Sequence, residues 1–225
     1  MSYSIESITE SIGARRMGNA PATIDWLLTD SRSLNFPEET LFFALTTKRN
    51  DGARYIADLY ARGVRNFVLS EESFRLMDNG QLTIDNAMQR DDAQSIVNYL
   101  IVPNPLKALQ KLAEQHRNRF QIPVIGITGS NGKTVVKEWL HQLLSPERAI
   151  IRSPRSYNSQ IGVPLSVWQM NEQSELAIFE AGISEPGEMR ALQNIIKPTI
   201  GILTNIGGAH QENFFSVNQI GRAHV

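Results

Sequence analysis

Three glycines, a lysine and a threonine stand together in "VIGITGSNGKTVVKEWL", residues 124–140, and their spacing suits the binding of phosphate. Gly126, Gly129 and Gly132 interrupt the end of an apolar run, and Lys133 and Thr134 open an amphipathic one. A loop between a strand and a helix N-terminus aims several backbone N–H groups at one anion, and the helix dipole adds to the attraction. Glycine lets that backbone approach phosphate oxygens and take positive φ. Lysine neutralises phosphate charge, and a threonine hydroxyl can ligate Mg²⁺. The strict G-x-x-x-x-G-K-[ST] pattern asks for glycine at position 127, where this chain has Ile127. The match is to the G-K-T end and its setting.

A site for Mg²⁺ and a nucleotide needs further oxygen or nitrogen ligands, and parallel sheets gather ligands at the carboxyl ends of their strands. Glu180 closes the apolar run "LAIFE", and His210 follows "TIGILTN" in "TNIGGAH". Taken alone, a glutamate at a strand end is structural about as often as it is a ligand. A lone histidine after a loop is more often structural. Their placement relative to Lys133 is what makes both candidate metal ligands.

The elements that would carry these residues alternate. "PVIGIT" reads as a strand and "TVVKEWLHQLL" as a helix with Val136, Leu140, Leu143 and Leu144 on one stripe. "ELAIFEAG" and "PTIGILTNIG" are short apolar runs without polar alternation, as buried parallel strands are, and the helix candidate "PGEMRALQNII" lies between them. This is the pattern of a doubly wound α/β domain. Ahead of it, "TLFFAL" reads as a buried strand, "DGARYIADLYARG" as a helix using Ile56, Leu59 and Tyr60 and stopping at Gly63, and "VRNFVLS" as a second strand. Strand, helix and strand with short joints make a βαβ unit. Pro103 and Pro105 mark the change of unit, followed by a helix with Leu106, Leu109, Leu112 and Ala113 apolar.

Bulk properties narrow the class. The chain has 225 residues, 41% hydrophobic and 20% charged, so it reads as globular. Its formal charge of -1, from 22 basic and 23 acidic residues, gives no reason to expect nucleic acid or an anionic membrane. Cysteine is absent, which excludes disulfides and thiolate metal sites and suits a reducing cytoplasm. The first residues lack the apolar core of a signal peptide, and no apolar run approaches transmembrane length. The expectation is a cytoplasmic protein without membrane insertion, monomeric or weakly associating.

Together these residues resemble the Mur ligase family, ATP-dependent amide-forming enzymes of peptidoglycan precursor synthesis. "TGSNGKT" matches the family's "TGxNGKT" loop. "EAGISEPGE" matches its "E-M-G…PGE" pattern with Ala181 at the usual methionine, and "TNIGGAH" matches its "TNI…AH". The likeness is to the branch that adds D-alanyl-D-alanine to UDP-N-acetylmuramoyl tripeptide. That branch shows Asn-Asn before I-G-V-P, and here "SYNSQIGVPLSV" has Asn158 at the first asparagine and Ser159 at the second. "TDSRSLNFPEETLFFAL" and "RNDG" resemble its uridine-nucleotide-binding N-terminal domain.

The resemblance implies a small mixed α/β N-terminal domain for the UDP substrate, residues 1–102, and a truncated doubly wound P-loop ATPase-type central domain, residues 103–225. It implies ATP and Mg²⁺ as cofactors. Thr128, Gly129, Ser130, Asn131, Gly132, Lys133, Thr134 and Asn205 would contact the nucleotide. Thr134, Glu180 and His210 would hold metal, with Lys133, Glu180 and His210 catalytic. Ser31, Arg32 and Asn158 would contact substrate, although D-S-R is also an ordinary polar turn.

Two enzymes and one non-enzyme compete with this reading: the tripeptide-forming Mur ligase, a folate polyglutamate ligase, and a non-catalytic nucleotide-binding fragment. The I-G-V-P stretch argues against the first and the D-S-R domain against the second. The family's remaining central domain, C-terminal domain and later lysine are expected to lie beyond these residues, so this stretch alone is expected to be inactive. The sequence also resembles the form of this ligase fused ahead of an alanine racemase. The final "IGRAHV" departs from the family, and ATC GGA AGA GCA CAC GTC, a sequencing-library adapter read in frame, encodes it. Residues 220 or 221 to 225 are therefore expected to be read-through.

Overall fold

A computed structural model describes residues 1–47, 50–78, 96–185 and 187–207. The chain divides into two units between Leu112 and Ala113, inside the helix that the sequence reading set at the start of the second domain.

In the first unit the short strand β1 (Tyr3–Ser4) leads into α1 (Ile5–Ile12). Ser4 caps that helix by accepting from Ser7 N at 3.1 Å, and Ile5, Ile8 and Ile12 are its buried face. A mixed five-stranded sheet follows, built from β2 (Arg15–Met17), β4 (Trp26–Leu28), β5 (Thr40–Phe43), β8 (Asn66–Ser70) and β9 (Asn98–Val102). Its order is β2-β9-β8-β5-β4, antiparallel only between β2 and β9. The minor strands are β3 (Thr23–Ile24), paired with β1, and the hairpin of β6 (Thr46–Thr47) and β7 (Asn50–Asp51). The expected βαβ unit is present: α2 (Ile56–Ala61) links the parallel strands β5 and β8. Ile56, Leu59, Phe42 and Phe67 are buried in one cluster, and Gly63 ends the helix region at φ 99°. After β8 the chain enters α3 (Glu71–Asp78).

Helix α4 (Pro105–Arg117) carries the division between units. In the second unit β10 (Val124–Thr128), α5 (Lys133–Leu144), β11 (Ile150–Arg152), α6 (Gly162–Val167), β12 (Leu176–Glu180), α7 (Glu188–Ile196) and β13 (Ile200–Leu203) follow in turn. All four strands are parallel, in the order β11-β12-β10-β13. Side chains alternate across them. Ile125, Ile127, Leu176 and Ile178 pack under Val136, Leu140 and Leu144 of α5. Val124, Ala177 and Phe179 face the other way, toward Val163 and Val167 of α6 and Leu192 and Ile195 of α7. Helices therefore cover both faces, the doubly wound arrangement that the sequence pattern predicts.

Two expectations are corrected here. Leu143, expected on the buried stripe of α5, is 73% exposed. The stripe runs through Val136, Leu140 and Leu144, and Leu143 rotates out onto the flank shared with Val135 and Trp139. Strand β13, expected to be buried, stands outermost among the described strands, paired only with β10. Ile200 and Leu203 are consequently half exposed.

Candidate functional site

The strand order decides where the loop lies. The chain leaves β10, crosses to β11, returns to β12 beside β10, and then passes to β13 on the other side. A reversal of this kind opens a crevice at the carboxyl ends of the strands. The loop after β10 therefore lies between the ends of β12 and β13. In register, Ile127 is opposite Glu180 and Thr128 opposite Leu203.

On the β13 side the loop is fastened by Asn205. The Asn205 carbonyl accepts from Ser130 N and its side-chain Oδ1 from Asn131 N, both at 2.9 Å. Ser130 Oγ accepts from Gly207 N at 2.8 Å and lies 3.1 Å from Gly207 O. Gly129, at φ 130°, runs so close to this segment that a Cβ would come within 2.9 Å of the Asn205 carbonyl oxygen. No side chain caps α5, which begins from Gly132 at φ 82°. Its first N–H groups have no acceptor within the helix and point out of its end. Lys133 Nζ folds back to donate to the Gly129 carbonyl at 2.5 Å. Half burial pulls this ammonium below the usual lysine range, and the Glu180 carboxylate works against that shift.

On the β12 side the Thr134 hydroxyl donates to Glu180 Oε2 at 3.0 Å. Glu180 has no exposed surface, and its N–H donates to Ser153 Oγ at 3.1 Å. Its Oε1 lies 2.9 Å from Lys137 Nζ but accepts no well-directed hydrogen bond. The two groups thus form a buried ion pair, with Oε1 left without a hydrogen-bond partner. Ser156 Oγ is 3.3 Å from Thr134 Oγ1. Asn158 accepts from Gly182 N at 2.8 Å through its carbonyl, and its side chain lies against Gly182. Ser159, where the resembling branch has asparagine, accepts from Gly162 N at 3.1 Å just ahead of α6.

Thr128, the loop residues 129–134, Asn158, Glu180 and Asn205 are thus gathered at one end of one sheet. His210 lies outside the described residues, as do residues 220–225. Sequence reasoning missed Lys137, Ser153 and Ser156. The available signal was Lys137 itself, three residues after Thr134 and hence on the same side of the helix.

Ser31 and Arg32 belong to the first unit, in a 3₁₀ turn (Ser31–Ser33) that follows β4. Asp30 caps the turn by accepting from Arg32 N at 3.0 Å and pairs with the Arg32 guanidinium at 2.6 Å. The hydrogen bonds from Arg32 hold the Asp30 carboxyl below the usual carboxylate range. Thr29, Asp30, Ser31, Arg32, Leu45, Gly52 and Tyr55 line an open polar cleft of about 420 Å³. The Ser31 carbonyl accepts from Arg62 Nη1 at 2.8 Å, which fixes one wall of it.

A Gly-Lys-Thr loop at the reversal point of a parallel sheet, opening an uncapped helix, defines the second unit as a P-loop-type α/β domain. Residues 127–225 match the Mur ligase middle domain. The chain is 33% identical over 204 residues to the UDP-N-acetylmuramoyl-tripeptide--D-alanyl-D-alanine ligase of Borreliella burgdorferi, covering 90% of this chain and 42% of that protein. It superimposes on MurF from Acinetobacter baumannii with a TM-score of 0.82 at 25% identity, covering 100% of this chain and 45% of that one. For MurF of Thermotoga maritima in complex with ADP the TM-score is 0.69 at 27% identity, with 88% and 41% covered. The chain is similar to the Mur ligases, and its likeness among them is to the MurF type. Members of that family are ATP-dependent ligases. The chain spans less than half the length of these relatives. Among the described residues no helix is long and apolar enough to cross a membrane.

Proposed function

We propose that the protein carrying this chain joins D-alanyl-D-alanine to UDP-N-acetylmuramoyl tripeptide at the expense of ATP, in the cytoplasmic synthesis of peptidoglycan precursors. The observation that carries the reading is the Thr134–Glu180 contact of 3.0 Å beside the Lys133 loop. It brings a metal-ligating hydroxyl and a strand-end carboxylate to the place where a helix N-terminus and a lysine would hold phosphates. The ADP-bound Thermotoga maritima relative and the D-alanyl-D-alanine ligase names of the others support the same assignment.

In this mechanism the tripeptide's terminal carboxylate attacks the γ-phosphorus of ATP, forming an acyl phosphate and releasing ADP. The amine of D-alanyl-D-alanine then attacks the acyl carbon, phosphate leaves, and the ammonium proton is lost to solvent. The chain's own contribution is positioning and charge neutralisation. Lys133 would leave the Gly129 carbonyl for the β- and γ-phosphates, and the amides at the start of α5 would take phosphate oxygens. Asn205 acts mainly by fixing the loop, and Asn158 forms the wall on the β12 side. Ser31 and Arg32 would meet the uridine nucleotide at the cleft in the first unit.

Magnesium prefers hard oxygen ligands and keeps positions for water and substrate phosphate. The Thr134 hydroxyl and the Glu180 carboxylate, whose buried Oε1 has no hydrogen-bond partner, fit that preference. Bound there, Mg²⁺ would offset phosphate charge. The resemblance alone assigns His210 to a second Mg²⁺.

Phosphate release by the complete gene product tests the reading, with ATP, Mg²⁺ and UDP-N-acetylmuramoyl tripeptide supplied with and without D-alanyl-D-alanine. Release that requires the dipeptide is the expected result. Release that responds instead to another amino acid would move the assignment to a sister ligase, and no release would leave a binding protein only.

A further inference from the structure

Lys137 has no exposed surface, yet it lies on a helix side that otherwise packs through Val136 and Leu140. An ammonium has three donors and no acceptor, and burying one is costly unless acceptors and opposite charge meet it. Here the Ser153 carbonyl accepts at 2.8 Å and the Arg155 carbonyl also accepts. The Glu180 carboxylate supplies the opposite charge, its Oε1 at 2.9 Å without a well-directed hydrogen bond. Glu138 Oε1, on the helix itself, lies 3.2 Å away.

Each contact bears on the nucleotide site. Arg155 stands at φ 49°, a left-handed conformation that a non-glycine residue adopts only at a cost, and its carbonyl is one that Lys137 grips. The same turn carries Ser156 to the Thr134 hydroxyl and Asn158 to Gly182. At Glu180, the attraction of Oε1 to Lys137 leaves Oε2 to receive the Thr134 hydroxyl. With a neutral side chain at 137 the carboxylate would lose the charge that fixes its rotation, and the turn would lose its anchor.

We propose that Lys137 is a positioning residue of the nucleotide site. It orients the Glu180 carboxylate toward Thr134 and holds the Ser153–Asn158 turn as the site's third wall. The inference rests on the reading that a magnesium nucleotide binds at this loop.

The test uses the complete gene product and ADP, titrated with EDTA present and again with Mg²⁺. Lys137→Met removes charge and donors, whereas Lys137→Gln keeps donors for the carbonyls. In both, affinity for ADP alone stays near wild type, because Lys133 and the loop amides are untouched. The gain in affinity on adding Mg²⁺ falls by about tenfold or more, the usual size of an outer-shell effect on metal binding. A gain that survives intact, or a parallel loss of both affinities, would mean a merely structural ion pair and overturn the proposal.

Should neither variant fold, the ¹⁵N resonance of the Lys137 ammonium in the wild-type chain gives the answer. It should shift when Mg²⁺ joins bound ADP and remain in place with ADP alone. An ammonium signal indifferent to Mg²⁺ would overturn the proposal as well. A wild-type chain that binds no ADP under either condition overturns the nucleotide reading and this inference with it, an outcome separable from intact wild-type binding with unaffected variants.

Discussion

The Lys137 ammonium and the Glu180 carboxylate meet at 2.9 Å with neither side chain reaching solvent. Such a pair gains little over well-packed apolar residues, but breaking it strands a buried charge. Lys137→Met is therefore expected to destabilise the chain by about 3–5 kcal/mol. A double replacement, Lys137→Met with Glu180→Leu, should recover much of that loss while destroying the site. Urea unfolding of the three chains checks the order. A double variant less stable than Lys137→Met would contradict it.

Lys133 stands in the opposite position. Its ammonium is half buried but bonds only a loop carbonyl among the described residues, so little of the fold depends on it. Lys133→Ala should change stability by no more than about 1 kcal/mol, the worth of one hydrogen bond. Turnover of the complete enzyme should fall about 100-fold or more, as when a preorganised charge is removed from a phosphoryl-transfer site. Normal turnover in this variant would rule out the mechanism.

Gly129 links the loop's shape to its neighbours. At φ 130°, with the Asn205 carbonyl 2.9 Å from any added Cβ, the position excludes every other residue without movement. Gly129→Ala should cost about 1–3 kcal/mol in backbone strain. It should also release the Ser130 and Asn131 amides from Asn205, weakening ADP binding even without Mg²⁺. Melting temperature and ADP affinity should fall together, and a variant that loses neither would disprove the close approach.

An apolar flank of α5 leads to a prediction about association. Val135, Trp139 and Leu143 are 52%, 69% and 73% exposed, one turn apart along the helix. Contiguous exposed apolar surface of this kind favours self-association. The chain should form larger species as its concentration rises, and Trp139→Glu with Leu143→Glu should suppress them. Light scattering coupled to gel filtration compares the two, and identical profiles would refute the prediction.

The loop, Glu180 and the βαβ unit of the first half were legible because local pattern carried them. Apolar runs ended at the polar and glycine residues of the candidate site, and Gly-Lys-Thr has few other uses at a strand-to-helix joint. The spacing of Lys137 from Thr134 was visible, but its partners Ser153, Arg155 and Glu180 were not, because they are remote in sequence and only the parallel order brings them to it. Leu143 misled because one stripe of α5 is apolar beyond what the sheet covers. β11 and α6, three and six residues long, are too short for periodicity to announce. The antiparallel pairing of β2 with β9 brings Arg16 and Leu100 opposite one another across more than eighty residues, which no local signal encodes.

His116 makes the stability of the second unit depend on pH. Its ring is 2% exposed, lies 5.0 Å from the Phe120 ring and 4.8 Å from that of Trp168, and directs Nε2 to the Met170 carbonyl at 3.0 Å. A carbonyl can only accept, so Nε2 carries the proton of the neutral ring. Burial lowers the histidine from 6.5 to about 4, with the Met170 hydrogen bond opposing the shift. The unfolded chain therefore takes up this proton near pH 6.5, before the folded one does. Stability is full above that value and declines as the pH falls toward 4, by about 3 kcal/mol in all. His116→Gln removes the titration. Its stability, though lower at neutral pH through lost packing, should decline less steeply over that window. Urea midpoints between pH 7 and pH 4 for both chains measure the difference in slope, and equal slopes would show that His116 is not the group responsible.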